Sequence, residues 1–376
     1  MKQVCILISG YPRDNARIFH RQAKSLLSSG FSVSILTNDG GIDDCVEGIN
    51  IYCTDYWKSR FKVLLFAKKQ FYRACLKINA DIYFIHSPEL LTLGLKLKAK
   101  GKLIIYDAHE DLPRHILEKE WLPRLFRLPI SFLSNIFLNY VFSKIDALVS
   151  PHTHVIERYN LVNNNCVLIT NFSKTFSQSN FDLSEYLARP KAICYSGTAY
   201  FHSNQLQILD AIKDFNDVVY NIAGTIPHKL YSDMQSHKSF NKVNFLGLLD
   251  YKYLKDFYLN ARIGMVIIDY KLNLGSKRGT YAVNKMFEYM ESGLPIICSD
   301  FDLWIHVIDK HNCGIYVKPG NILEIKNAIA HLLENPTLAY EMGQNGKNAV
   351  LSEYNWNSEE DKLNNLFLEV FNSIKN

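Results

Sequence analysis

Residues 4–37, VCILISGYPRDNARIFHRQAKSLLSSGFSVSILT, decide the fold class. The apolar run Val4–Ser9 predicts a buried strand, and Phe31–Thr37 predicts a second one. Between them, apolar residues at helical spacing over Ile18–Ser28 predict a helix, which Gly30 ends. A strand, a helix and a strand in succession indicate an α/β fold with a parallel, doubly wound sheet.

The same alternation continues to the end of the chain. Ten further apolar runs predict strands at Ile82–Ile85, Leu103–Tyr106, Ala147–Ser150, Cys166–Ile169, Ile193–Tyr195, Val218–Ala223, Val243–Leu246, Ile263–Ile268, Pro295–Cys298 and Gly314–Val317. A chain of 376 residues exceeds the usual size of one domain. The polar stretch before Lys191 interrupts the rhythm. We therefore predict two Rossmann-like domains, residues 1–173 and 192–355, joined by a linker at residues 174–191, with a central cleft for ligands.

The charge is unevenly distributed. Residues 1–173 contain 22 Lys and Arg against 15 Asp and Glu, a net of +7, whereas the rest of the chain has a net of −2. A basic first half predicts contact with something anionic. Membrane surface, phosphorylated lipid and nucleic acid all satisfy this condition.

Cysteine usage and hydropathy predict a cytoplasmic protein. None of the eight cysteines forms a C-x-x-C pair, and several lie inside predicted strands, which argues against disulfides and zinc. The first residues lack the pattern of a signal peptide. The segment Glu118–Phe142 is basic and rich in aromatic residues, but Pro123 and Pro129 interrupt it, so we do not expect it to span a bilayer. It fits either docking at a membrane interface or a core helix.

The segment Val283–Pro295, VNKMFEYMESGLP, predicts a helix followed by a strand. Val283, Met286 and Met290 form an apolar stripe, and Asn284 and Glu288 lie on a polar stripe beside it. From the spacing alone, a surface helix with a solvated polar face is the simpler interpretation.

The residues themselves add more, because N-K-x-x-E-Y-M-x-x-G-x-P-I-I closely resembles the donor-site helix of family 4 glycosyltransferases with the GT-B fold. The resemblance implies that Glu288 accepts hydrogen bonds from the two ribose hydroxyls of a nucleotide. It implies that the helix start at Asn284 faces the diphosphate. Thr280 stands where the family usually has a first glutamate, which binds the donor sugar or stabilises charge near the reacting carbon. This departure leaves the identity of the sugar open.

Glycine turns and cations complete the implied donor site. Gly197-Thr198 resembles the family's turn at the diphosphate, and Gly247-Leu248 resembles the turn that borders the base. The Arg and Lys that usually follow the first turn are absent. We therefore expect the phosphate charge to be met by Lys277, Arg278 and Lys285, although the first two are equally plausible as solvated surface cations.

The first domain resembles the family's acceptor side. Gly10, Arg17 and His20 match its first loop, and the loop is not a G-x-G-x-x-G dinucleotide fingerprint. His86, in H-S-P-E, and His109, in Y-D-A-H-E-D, follow strands and match further family motifs. A packed histidine or a surface arginine is the simpler interpretation of each residue. The resemblance places His109 near the transferred sugar, and neither motif reproduces the H-E-x-x-H zinc pattern.

Tyr354-Asn355-Trp356 resembles the family's Y-x-W, which precedes a C-terminal crossover helix that packs back on the first domain. Here that helix would occupy residues 356–376, with Trp356 as a packing anchor.

The predicted activity is retaining transfer of a sugar from a nucleotide-sugar, with UDP ahead of GDP, to a glycan or lipid-linked acceptor. The resemblance implies a role in bacterial surface polysaccharide or lipopolysaccharide synthesis, without a metal or other cofactor and without nucleic acid as a partner. His109, Lys285 and Arg278 are the predicted catalytic residues. The expected location is cytoplasmic and peripheral on the inner face of the cell membrane. Two alternatives remain open, namely a nucleotide-sugar 2-epimerase and a non-catalytic nucleotide-sugar-binding scaffold.

Overall fold

The chain divides into two compact units, each built on one sheet. The computed structural model describes residues 2–55, 68–174 and 181–373. The first unit comprises Met1–Asn171 and Trp356–Asn376, and the second comprises Phe172–Asn355. Every strand that the apolar runs predict is present, with ends that shift by at most two residues. The predicted α/β alternation is therefore confirmed.

The first sheet has the strand order β3-β4-β2-β1-β5-β6-β7-β8. β3 and β4 pair antiparallel, and the other neighbours pair parallel. The strands are β1 (Gln3–Leu7), β2 (Ser32–Thr37), β3 (Asp44–Val46), β4 (Ile49–Cys53), β5 (Ile82–Ile85), β6 (Leu103–Asp107), β7 (Ala147–Ser150) and β8 (Cys166–Leu168).

The second sheet is parallel throughout and has the order β11-β10-β9-β12-β13-β14. Its strands are β9 (Ala192–Ser196), β10 (Val219–Ala223), β11 (Val243–Phe245), β12 (Ile263–Val266), β13 (Ile296–Ser299) and β14 (Gly314–Val317). Because every strand points the same way, all the loops after the strands lie at one edge.

Each sheet separates two apolar cores. Val4 and Ile6 of β1 contribute to one core of the first unit, whereas Cys5 and Leu7 contribute to the other. In the second unit, Cys194 and Tyr195 of β9 divide in the same way. Successive strand residues point to opposite faces, so a continuous apolar run is what a strand covered on both faces requires.

The helices cover both faces. They are α1 (Lys24–Ser28), α2 (Lys68–Ile78), α3 (Leu91–Lys98), α4 (Leu112–Glu118), α5 (Arg124–Phe142), α6 (Thr153–Tyr159), α7 (Leu183–Ala188), α8 (Gln205–Ala211), α9 (His228–Gln235), α10 (Tyr251–Leu259), α11 (Asn284–Glu291), α12 (Asp302–His311), α13 (Ile322–Glu334), α14 (Pro336–Ser352) and α15 (Trp356–Asn372). A π-helical stretch, Ala16–Ala23, leads directly into α1. Short 3₁₀ turns occupy Pro88–Leu90, Phe201–Ser203, Phe240–Lys242, Leu272–Leu274 and Ser276–Arg278.

The region predicted as a linker, residues 174–191, contains the helix α7 and is not an irregular connection throughout. Residues 175–180 lie outside the described residues. After them, Asp182 and Glu185 form a reciprocal capping box that starts α7. The second unit begins before this region, because Phe172 packs in its core with its ring 4.6 Å from that of Phe287.

The last helix, α15, belongs to the first unit. The indole of Trp356 donates to the hydroxyl of Ser25 at 2.9 Å. The carboxylate of Glu359 accepts from the N–H of Thr170 at 2.7 Å. Trp356 and Phe367 are both buried in the first unit's core. The chain therefore returns to its first unit after completing the second.

The helix α5 is continuous over 19 residues, although Pro129 lies inside it. Its mean hydropathy over the most apolar window is 1.3, so by length and composition alone it could cross a membrane. The core helices of soluble proteins pass the same test. Only 22% of that window is buried, however, which is unusual for a core helix.

Candidate functional site

Three glycine turns lie side by side at the carboxyl edge of the second sheet. Gly197, Gly224 and Gly247 follow β9, β10 and β11, with φ angles of 96°, 136° and 67°. The N–H of Gly197 donates to the carbonyl of Ala223 at 2.8 Å, and the N–H of Gly224 donates to the carbonyl of Gly247 at 2.7 Å. A Cβ atom on Gly224 would lie 2.0 Å from the carbonyl oxygen of Gly197, so only glycine permits this approach. This edge therefore presents main chain that a ligand can approach closely.

Lys285, in the first turn of α11, brings a positive charge to this edge. Its ammonium lies 3.8 Å from the centroid of the Tyr195 ring. A Cβ atom on Gly197 would be only 3.5 Å from the same nitrogen. Within the part of the chain that the structure describes, Lys285 has no ion pair. Burial lowers the pKa of Lys285 to about 7, and the charge of Glu288 only partly opposes this shift. An anion bound next to Lys285 would stabilise the protonated form of its side chain.

Glu288 lies one turn further along α11, at the centre of a hydroxyl network. The hydroxyl of Tyr258, on α10, donates to Oε2 of Glu288 at 2.8 Å and lies 3.1 Å from Oγ of Ser196. The N–H of Ser196 donates to the hydroxyl oxygen of Tyr289 at 2.8 Å. Burial and the charge of Glu288 raise the pKa of Tyr258 well above its usual value, so that its hydroxyl stays protonated. The network fixes the position of the carboxylate at the end of β9.

The other predicted cations are arranged differently. Lys277 makes an ion pair with Asp300 at 2.5 Å and lies 5.0 Å from the centroid of the Tyr270 ring. Asp300, Tyr270 and Lys277 therefore form a group of their own on the surface. Arg278 is exposed.

Thr280 is buried, and its hydroxyl accepts from the N–H of Ala282 at 3.1 Å. Its carbonyl accepts from the indole of Trp304 at 2.8 Å. These two hydrogen bonds shape the loop before α11, and the predicted contact of Thr280 with a donor sugar stays a prediction.

Three further predicted donor residues surround the glycine turns. Oδ1 of Asn284, at the start of α11, is buried without a hydrogen-bond partner among the described residues. The hydroxyls of Thr198 and Thr225 lie 3.1 Å apart. Leu248, in the turn after β11, is 81% exposed.

In the first unit, Arg17 and Asp107 form a buried bidentate ion pair. Nε and Nη2 of Arg17 lie 2.7 and 2.9 Å from the two carboxylate oxygens. Nη1 of Arg17 also donates to the carbonyl of Ile169 at 2.9 Å, and Nε2 of Gln22 donates to Asp107 at 2.7 Å. Arg17 therefore links the helical stretch after β1 to β6 and to the chain after β8. The guanidinium of Arg17 is buried in this ion pair, and its predicted contact with an acceptor stays a prediction.

His86 and His109 meet beside this ion pair. Nδ1 of His86 lies 2.9 Å from Nε2 of His109, and Oδ2 of Asp107 lies 3.6 Å from both nitrogens. His86 is fully buried, whereas the side chain of His109 is 18% exposed. The Nε2 atom of His152 lies 2.9 Å from the carbonyl oxygen of His109. His109 is thus the member of the cluster that offers a surface to a ligand.

Burial lowers the pKa of both His86 and His109, although Asp107 opposes the shift. Burial alone would raise the pKa of Asp107, but Arg17 and the two histidines outweigh it and hold that pKa well below its usual value. At neutral pH the cluster therefore contains a carboxylate, a guanidinium and two neutral imidazoles.

The same three residues, His86, Asp107 and His109, have ligand atoms within 4.8 Å of one another, a spacing that suits a small metal ion. The donor set fits poorly, however. Asp107 already accepts from Arg17 through both oxygens, and an ion at this point would lie beside that guanidinium.

The two other predicted acceptor-side residues are both exposed. Gly10 is exposed in the turn after β1, with a φ angle of 75°. His20 is exposed, and its ring packs against Phe19 with the centroids 5.1 Å apart.

The family model described as "Glycosyl transferases group 1" matches residues 180–349. The second unit is a group 1 glycosyl transferase domain. The chain is accordingly a glycosyltransferase, and the glycine turns, Lys285 and Glu288 all lie within the matched region. The sequence matches none of the curated proteins.

Solved glycosyltransferase structures share the whole fold. Sucrose-phosphate synthase from Thermosynechococcus elongatus is similar with a TM-score of 0.77 at 15% identity, over 99% of this chain and 100% of that chain. Anabaena Alr3699/HepE in complex with UDP and glucose has a TM-score of 0.72 at 10% identity, over 98% and 100% of the two chains. A variant of S. aureus TarM in complex with fondaparinux, α-GlcNAc-glycerol and UDP has a TM-score of 0.70 at 11% identity, over 99% and 100%. The predicted GT-B fold is confirmed, whereas the cleft between the domains stays a prediction.

Sequence reasoning missed Tyr258, Tyr195 and Gln22, which hold the charged side chains of this glycosyltransferase in place. None of them lies in a recognisable motif. Asp107 lies inside Y-D-A-H-E-D, but nothing in the sequence indicates that it pairs with Arg17.

Proposed function

We propose that this glycosyltransferase is a retaining, family 4 enzyme that transfers a sugar from a nucleotide-sugar, with UDP ahead of GDP as the nucleotide. The sugar goes to a glycan or lipid-linked acceptor in bacterial surface polysaccharide or lipopolysaccharide synthesis. The observation that carries the donor assignment is the ammonium of Lys285, which lies against Gly197 without an ion pair among the described residues. A diphosphate supplies the anion that this ammonium requires.

The donor would lie along α11 and the glycine turns. Its diphosphate would approach Gly197, Lys285 and the start of α11, where main-chain N–H groups and the helix dipole favour negative charge. Glu288 would accept from the ribose hydroxyls, because a carboxylate has acceptor capacity beyond its bond to Tyr258. Leu248 would border the base. Several neighbouring structures contain UDP by their descriptions, which supports UDP as the first nucleotide to test.

The proposed chemistry needs no enzyme nucleophile. The bond between the sugar and the diphosphate breaks, and the departing diphosphate takes the proton of the acceptor hydroxyl as the new glycosidic bond forms. Lys285 and the helix dipole stabilise the charge that grows on the diphosphate, which is preorganised electrostatic catalysis. We assign Arg278 to the same charge and His109, as a neutral imidazole, to the wall that faces the sugar.

The affinity for UDP-glucose is expected to fall as the pH rises above about 7, because Lys285 loses its proton there. Contact with the diphosphate raises the pKa of Lys285 in the complex. The affinity for UDP-glucose is therefore highest below pH about 7, and it falls about tenfold per pH unit between the pKa of the free protein and that of the complex. Isothermal titration with UDP-glucose measures this directly, since its diphosphate does not titrate near neutral pH.

The control is Lys285→Met, which keeps the length of the side chain and removes the charge. It is expected to bind about tenfold or more weakly than the wild type at pH 6 to 7, with no pH dependence from this source. A wild-type affinity that stays constant across the same range would contradict the assignment of Lys285.

Transfer is proposed to be independent of metal. Because Arg17 already occupies the carboxylate of Asp107, chelator treatment is expected to leave the rate of nucleotide release unchanged, and elemental analysis should find no stoichiometric metal. A metal bound at one ion per chain and lost in His86→Ala would overturn this expectation.

Two other functions are tested by the same reagents. A nucleotide-sugar 2-epimerase converts its substrate without releasing nucleotide, and a scaffold binds without turnover. We propose a cytoplasmic location at the inner face of the membrane, and the eight free thiols support a reducing compartment.

A further inference from the structure

The helix α5 is oriented with its apolar side outward. Seven of its apolar residues are between 50% and 80% exposed, namely Leu125, Phe126, Leu128, Phe132, Leu133, Ile136 and Tyr140. Its polar residues lie on the opposite side. The hydroxyl of Ser131 donates to the carbonyl of Pro113 at 2.7 Å. Asn135 and Asn139, together with Leu128 and Phe132, line a groove of about 600 Å³ against α4 and α6. A helix that only covered a core would have the reverse arrangement.

The helix is also fixed to the first unit along one side. Leu138, Val141 and Phe142 are buried in the core, and the Phe142 ring lies 4.6 Å from that of Tyr159. Crossing a bilayer would require these residues to leave the core. The exposed side can therefore lie in an interface, but α5 does not span a membrane in this fold.

The charges around α5 are predominantly positive. Between Arg114 and Lys144 there are five basic and two acidic residues, a net of +3, and α5 itself contains no acid. The acids, Glu118 and Glu120, precede the helix. Arg124 and Lys144 are exposed at its two ends. Trp121, 71% exposed with Lys119 over its ring at 5.6 Å, adds an aromatic side chain of the kind found at membrane interfaces.

We infer that the exposed side of α5 docks on an anionic phospholipid bilayer. The seven apolar side chains enter the boundary between headgroups and acyl chains, while Lys119, Arg124 and Lys144 face the lipid phosphates. A second copy of this chain fits less well. In an antiparallel pair of α5 helices, the basic end at Arg124 would meet the basic end at Lys144. The inference deepens the proposed location at the inner membrane face and rests on it, but it does not depend on donor binding.

Vesicle flotation of the full chain tests the inference. The wild type is expected to float with vesicles of phosphatidylglycerol and phosphatidylcholine in equal parts and to stay behind with phosphatidylcholine alone. The double variant Leu125→Glu/Leu133→Glu is expected to lower the partition coefficient at least about tenfold, and Arg124→Gln/Lys144→Gln about tenfold. The matched control is Ile42→Glu, an 82% exposed apolar residue elsewhere in the first unit, which should float like the wild type.

Circular dichroism and UDP-glucose titration without vesicles check each variant. If the first double variant does not fold, Phe132→Glu/Ile136→Glu tests the same surface. The inference is overturned if the wild type does not float with anionic vesicles, or if the α5 variants float as well as the wild type. A dimer in the absence of lipid that the α5 variants dissociate, together with no flotation, would assign the surface to a second copy. If the wild type does not bind UDP-glucose, the proposed donor site is contradicted. The flotation result still tests membrane docking, because it does not depend on donor binding.

Discussion

Replacing Glu288 with alanine is expected to lower the affinity for UDP-glucose at least about a hundredfold and to abolish transfer. The carboxylate would accept both ribose hydroxyls, and each hydrogen bond to a charged acceptor contributes about 1.5–3 kcal/mol. Isothermal titration and nucleotide release measure the two effects. The fold should remain, because Tyr258 keeps Ser196 as a neighbour at 3.1 Å when Glu288 is removed.

Two matched variants isolate the role of the carboxylate. Glu288→Gln keeps an acceptor for Tyr258 but removes the charge, so we expect it to retain stability and to lose most of the affinity. Glu291→Gln, on the same helix, should bind like the wild type. A donor analogue whose ribose lacks both hydroxyls should bind the wild type and Glu288→Ala equally weakly. Near-normal affinity of Glu288→Ala for UDP-glucose would remove Glu288 from the donor site.

Asp107→Asn is expected to lower the free energy of unfolding of the first unit by about 3–5 kcal/mol, because it leaves the Arg17 guanidinium buried without its counter-charge. The pKa of Asp107 is held below its usual value. The ion pair therefore stabilises the unit at neutral pH, and this contribution is lost as the pH falls below the ordinary range of a carboxyl group. Hydrogen exchange of the β6 amides measures the stability of the first unit alone. Thermal unfolding of the whole chain would combine the stabilities of both units.

A second ion pair in the same unit is a close control. Arg13 holds Asp39 with the same bidentate geometry, at 2.7 and 2.8 Å, but those side chains are 24% and 18% exposed, whereas those of Arg17 and Asp107 are 5% and 0% exposed. Asp39→Asn should cost less than about 1 kcal/mol. If Asp39→Asn and Asp107→Asn lower the free energy of unfolding equally, burial does not increase the contribution of the Arg17–Asp107 ion pair to stability.

The fold was largely predictable because buried parallel strands are continuous apolar runs bounded by turns. The hairpin of β3 and β4 escaped prediction, since Asp44–Val46 is only three residues long and mostly exposed, and therefore offers no such run. Its turn depends instead on Glu47 and Gly48, whose φ angles of 49° and 82° are invisible to hydropathy.

The candidate site was predictable only where a motif keeps its residues together. Lys285 and Glu288 share one helix, so a single segment of sequence indicates both. The ion pairs of Lys277 with Asp300 and of Arg17 with Asp107 join residues 23 and 90 positions apart. These partners meet only because the strands pack side by side, which the sequence does not reveal. Lys277, expected at a phosphate, and Arg17, expected at an acceptor, are therefore each paired with an acid in the structure.

The most direct test of the donor site is incubation of the full chain with UDP-, GDP- and ADP-sugars, with and without a membrane lipid extract as the source of acceptor, while free nucleotide is measured. We expect UDP to be released from a UDP-sugar, faster with the extract than without it, and not by Glu288→Ala. Conversion of the sugar without nucleotide release, or binding of every donor without turnover, would contradict glycosyl transfer at Lys285 and Glu288.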